Sequence, residues 1–152
     1  MGKQLVWVGP SQHGYQFQAN GGSDYILSYF RAATEAADFM QTVSVNIADN
    51  YTAVVLEVPM SIGSGDLAER IHQDPRHVPH NLARWIRHSD TPFYDKPLIL
   101  LPTDEQSSRL YNTLCGRNEY VAQVRHSMPD TDYSQLHDVL KRLERYNYLA
   151  SK

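Results

Sequence analysis

The stretch that decides the fold is Pro97-Leu98-Ile99-Leu100-Leu101-Pro102-Thr103-Asp104-Glu105-Gln106, running on through Leu110, Tyr111, Leu114 and Gly116 to Tyr120-Val121-Ala122-Gln123-Val124. Its apolar opening reads as a buried strand. Thr103 to Gln106 has the form of a capping box, in which an N-cap hydroxyl and a Gln at N3 serve each other's backbone donors. Leu110, Tyr111 and Leu114 then continue a helix that Gly116 can stop in the left-handed conformation. Tyr120 to Val124 reads as the next strand. Strand, helix and strand within about thirty residues form a βαβ unit, parallel and right-handed. A last helix, roughly 134–149, sets Leu136, Val139, Leu140 and Leu143 on one stripe.

Working outward, the elements upstream fit the same class. Leu5 to Val8 reads as a short buried strand, and Tyr15-Gln16-Phe17-Gln18 as either its hairpin partner or loop. Ser23 or Asp24 can cap a helix to about Met40, because Tyr25, Ile26, Tyr29, Phe30, Ala33, Ala36, Ala37 and Met40 fall at helical spacing. Val43–Ile47 and Ala53–Val58 are β-branched and read as two antiparallel strands or one interrupted strand. Ser64 can open a short helix to about His72. Pro79 suits the first turn of another that ends near His88. The expectation is an α/β domain, with α+β as the alternative. It is a single layered unit over 1–152 with a mixed sheet and a C-terminal βαβα unit.

Composition bounds the rest. The chain has 152 residues, 41% hydrophobic and 20% charged, the size and make-up of one globular domain. Its formal net charge of −3 does not mark a general nucleic-acid binder. Cys115 is the single cysteine, so an intrachain disulfide and a cysteine zinc site are excluded. It falls at a helix C-terminus, where a thiolate is not stabilised. No run approaches the roughly 18 apolar residues of a membrane span, and Leu5–Val8 is too short for a signal core. The expected location is cytoplasmic, and the Asn50-Tyr51-Thr52 sequon is read as chance.

The most unusual segment is 70–88. It holds Arg70, Arg76, Arg84 and Arg87 with His72, His77, His80 and His88, against one acid, Asp74. The first sixty residues, by contrast, carry two basic and five acidic residues. On the helix after Pro79, Val78, Leu82, Trp85 and Ile86 share one face, while His80, Arg84 and Arg87 share another. Arg forks suit phosphate or carboxylate, and a helix start offers free N–H donors. The leading expectation is therefore a binding or regulatory module. It would engage an anionic partner (a nucleotide, nucleic acid or acidic protein surface) through Arg70, Arg76, His77, His80, Arg84 and Arg87. The bland alternative is a solvated helix face whose charges pair within the chain. No metal site and no cofactor are expected, since His77 and His80 lack a third ligand at known spacing.

A second expectation is topological. Ligands of open α/β sheets collect beyond the carboxyl ends of the strands. Ser11 and His13 follow the first strand, Thr103 to Glu105 the Pro97 strand, and His126, Ser127 and Asp130 the Tyr120 strand. A metal-independent hydrolase or transferase would use His13 and His126 as bases with Asp104 and Ser127. Against it, Thr103 to Glu105 are suited to capping and no Gly-x-Ser-x-Gly elbow is present. Gly63-Ser64-Gly65 is a weak phosphate-loop signal. Asp49 and Glu57 loosely match a nuclease metal pair, but Pro59 stands where that pattern wants Lys. The third expectation rests on ten tyrosines, which would serve a protein-interaction surface or a homodimer.

Overall fold

The structure is a computed structural model that describes residues 3–65, 74–112, 119–126 and 131–150. Five parallel strands form its sheet: β1 (Lys3–Val8), β2 (Tyr25–Phe30), β3 (Tyr51–Val58), β4 (Leu98–Pro102) and β5 (Glu119–Val121), in the order β2-β1-β3-β4-β5. The α/β class and the C-terminal βαβα order are as the sequence implies. The sheet itself is parallel throughout. Among the described residues, antiparallel pairing is confined to the two-residue strands β6 (Arg125–His126) and β7 (Thr131–Asp132).

Both faces of a parallel sheet must be covered, because its connections are crossovers. Alternation along the strands sends Val6, Val8, Val54, Leu56, Leu98 and Leu100 to one face. There they meet α2 (Ala33–Thr42) and α4 (Val78–Arg87). Leu5, Trp7, Ala53, Val55, Ile99 and Leu101 face the other way, onto Phe17 of α1 (Ser11–Phe17) and the stripe Leu136, Val139, Leu140 and Leu143 of α6 (Ser134–Ala150). Every one of these side chains is almost wholly buried. Shaving any of the leucines to Ala would cost about 2–5 kcal/mol.

Four expectations are corrected here. Residues 15–18 are neither hairpin nor loop but the end of α1 and the start of a π-helical turn, Gln18–Gly22. Residues 25–30 are a strand, paired with β1 from Lys3↔Tyr25 to Val8↔Phe30, and only Ala33 onward is helical. Residues 45–48 form the helical turn α3 (Val45–Ala48), whose Ile47 N–H donates to Ser44 Oγ at 3.3 Å, so only 51–58 is a strand. The cap of α5 (Glu105–Asn112) is Asp104 rather than Thr103. Its Oδ1 accepts from Ser107 N at 2.7 Å, while Thr103 Oγ1 donates to Val58 O at 2.9 Å and ties β3 to β4. The expected helix at 64–72 and the Cys115–Gly116 stop fall outside the described residues.

Candidate functional site at the strand carboxyl ends

The order β2-β1-β3 makes the β1/β3 boundary a topological switch point, where crossovers leave to opposite sides and open a crevice. Glu57, one residue before the end of β3, lies at this boundary. Period 2 places it on the same face as Ala53 and Val55, so an acid occupies an apolar-facing position. Its side chain is only 1% exposed. A carboxylate held there needs strong donors. Trp7, wholly buried on β1, donates its indole N–H to Glu57 Oε2 at 2.8 Å. His13 of α1 bonds Oε1 through Nδ1. That hydrogen bond, more than the charge of Glu57, raises the His13 pKa above its ordinary value against an opposing cost of burial. The His13 side chain keeps 22% of its surface exposed, so the cluster touches solvent at that point.

The backbone makes room for this arrangement. Gly9 leaves β1 at φ 144°, and a Cβ there would lie 2.4 Å from Glu57 Oε2. Gly14 in α1 lets the Tyr29 ring approach the helix closely, since a Cβ would stand 2.2 Å from it. Tyr133, buried beside this face, has its hydroxyl pKa raised, first by burial and then by the charge of Glu57. Next to the cluster opens a cleft of about 740 Å³, lined by Pro10, Gln12, Arg31, Met60, Ile62 and Pro75 among others.

Of the expected catalytic residues, the structure brings His13 into this cluster. Asp104 is committed to the α5 cap, and Ser107 N–H holds its carboxyl below the usual range. His126 lies in β6, and Ser127 and Asp130 fall outside the described residues. In sequence, Glu57 stands out only as half of a poor nuclease metal pair with Asp49. The signal that could have found it is an acid closing the apolar run Ala53–Leu56.

Part of the basic segment is used internally. Arg87 Nη1 donates to Tyr94 O at 2.9 Å and Lys96 O at 2.7 Å, locking α4 to the loop before β4. Burial lowers its pKa, and Glu119 and Asp95 oppose that shift. The donors at the start of α4 are taken. Asp74 Oδ1 accepts from Arg76 N at 2.9 Å, Asp74 O accepts from His77 and Val78, and Tyr111 Oη accepts from His80 N at 3.2 Å. The Tyr111 hydroxyl in turn donates to Arg76 O, and burial pushes its pKa up to about 12. His80 is partly buried and its pKa is lowered, chiefly by desolvation. Arg84 is exposed, and Arg70 lies outside the described residues.

No family model matches the sequence, and no curated protein matches it. Solved structures do. The receiver domain of the sensor histidine kinase PA1611 from Pseudomonas aeruginosa PAO1, described with a magnesium ion in its active site cleft, superposes with a TM-score of 0.58 at 15% identity over 94% of this chain and 98% of that one. The signal receiver domain of an HD domain-containing protein from Pseudomonas fluorescens Pf-5 gives 0.59 at 15% identity, over 97% and 98%. The beryllofluoride-activated receiver domain of DrrB gives 0.55 at 16%, over 95% and 99%. This chain has the receiver-domain fold. The neighbours are consistently signal receiver domains, which overturns all three functional expectations. The anionic-partner module loses Arg87 and the helix-start donors to internal bonds. The hydrolase or transferase loses its Asp104. The tyrosine surface loses residues such as Tyr25, Tyr51, Tyr111 and Tyr133 to the interior. No helix among the described residues is long and apolar enough to cross a membrane.

Proposed function

We propose that the chain is a receiver-type signalling domain whose strand-end centre is a closed indole–carboxylate–imidazole cluster rather than a magnesium-dependent one. Magnesium takes a near-octahedral shell of oxygens, drawn from carboxylates and water. Here both oxygens of Glu57 already accept from Trp7 and His13, and no group of three His, Cys, Asp or Glu side chains among the described residues could hold an ion. The described residues therefore do not fit the ion described for the PA1611 domain. Glu57 engaged on both oxygens is the observation that carries this reading. The domain then passes its signal through contact with a protein partner, without needing metal or a phosphoryl donor.

The test is a two-dimensional amide NMR titration with magnesium chloride, then with added beryllofluoride, alongside intact-mass spectrometry after incubation with acetyl phosphate. The expected result is no saturable shift at Trp7, His13 or Glu57 and no phosphoryl adduct. Saturable shifts centred on those residues, or an adduct on Glu57, would overturn the proposal.

A further inference from the structure

We infer that the free edge of the sheet is a self-association surface, where β2 of one copy pairs antiparallel with β2 of a second copy about a two-fold axis. Among the described residues β2 ends the sheet, and its six residues Tyr25-Ile26-Leu27-Ser28-Tyr29-Phe30 contain no charge and no Pro and pair with β1 without a bulge. Exposed edges normally carry such blunting features. The opposite edge, β5, is three residues long and begins with Glu119.

The hydrogen-bonding groups fix the register. Gly9 N donates to Phe30 O at 2.8 Å, so the backbone groups of Phe30 face β1. By alternation those of Ile26 and Ser28 do too, and those of Tyr25, Leu27 and Tyr29 face outward. At each of the two ends one outward group is already used. Gln18 Nε2 donates to Tyr25 O at 2.9 Å, and Arg31 N donates to Glu35 Oε2 at 3.2 Å. Between them, the N–H and C=O of Leu27 and Tyr29 have no partner among the described residues.

A two-fold axis through Ser28 satisfies all of these groups at once. Leu27 of each copy stands opposite Tyr29 of the other, and the two pairs exchange both of their backbone bonds. The same register sets Ile26, 56% exposed as a monomer, opposite the second copy's Phe30. Arg31 falls opposite the second copy's Tyr25 and one residue from its Asp24. Both Asp24 and Arg31 are exposed and in no ion pair among the described residues. The two ends of the joint are therefore of opposite charge, and symmetry forms the contact twice.

The experiment is sedimentation velocity over a concentration series on the whole chain and on D24R and R31D, separately and mixed. The wild type is expected to populate a dimer as concentration rises. Each single variant sets like charges at both ends and should raise the dissociation constant about tenfold. An equimolar mixture of the two variants restores opposite charges at both ends and should regain wild-type association. Circular dichroism confirms that each variant keeps its fold. A wild type that stays monomeric, single variants that associate as well as wild type, or a mixture no better than its components would each overturn the proposal. None of these outcomes bears on the magnesium-free reading of Glu57.

Discussion

Glu57→Gln isolates the charge at the strand ends while keeping the shape. The glutamine carbonyl can still accept from Trp7 Nε1, now 2.8 Å from Oε2, so the buried indole is not orphaned. What goes is the charge-assisted bond to the His13 imidazolium, worth about 1.5–3 kcal/mol, partly offset because a buried charge no longer needs desolvating. The net loss is about 1–2 kcal/mol, or roughly 2–8 °C in Tm for a domain of this length. The sign with pH is specific. The folded His13 pKa lies above 6.5, so its stabilisation is fully present below that value and is lost as pH rises through the folded pKa. Urea unfolding of both proteins across a pH series should show the gap widest on the acid side of this window and closing above it, with equal m-values. A gap independent of pH, or none, would refute the reasoning.

Gly9→Ala combines a positive φ with a Cβ 2.4 Å from Glu57 Oε2, and should cost about 3 kcal/mol or more in the same denaturation assay. Asp104→Ala removes the α5 cap, a loss of about 1 kcal/mol. Because Ser107 N–H depresses the Asp104 pKa, that contribution exists above the unfolded carboxyl pKa and fades as pH falls through the folded one, so the variant's deficit should shrink in acid. Arg87→Ala removes two bonds to carbonyls and should cost about 1–2 kcal/mol, with hydrogen exchange accelerated in residues 94–96.

How much of this was legible in sequence follows from how local each signal is. The segment 97–124 was readable because an apolar run and an amphipathic helix each carry their signature within a few residues, although the cap is Asp104 and not the expected Thr103. β2 was not. Tyr25, Ile26, Tyr29 and Phe30 match a helical face as well as a strand, and only pairing with Lys3 to Val8 decides between them. Val45 and Ile47 favour a strand by side chain, yet Ser44 caps a helical turn there. The class and layering survived these misreadings because alternating apolar segments of either kind must still pack in layers. At the site, His13 was visible as a polar residue following the first strand. Its partnership with Glu57 spans 44 residues, and that of Trp7 with Glu57 spans 50, so neither leaves a local trace. The basic segment misled because backbone carbonyls, invisible in sequence, take up Arg87.

The most direct measurement follows hydrogen exchange at the Trp7 indole N–H by NMR, with and without magnesium chloride. If Glu57 is closed by its internal donors, that proton exchanges far more slowly than the indole proton of the partly exposed Trp85, and the metal leaves its rate unchanged. A Trp7 indole proton that exchanges as fast as that of Trp85, or one that magnesium releases, would contradict the account.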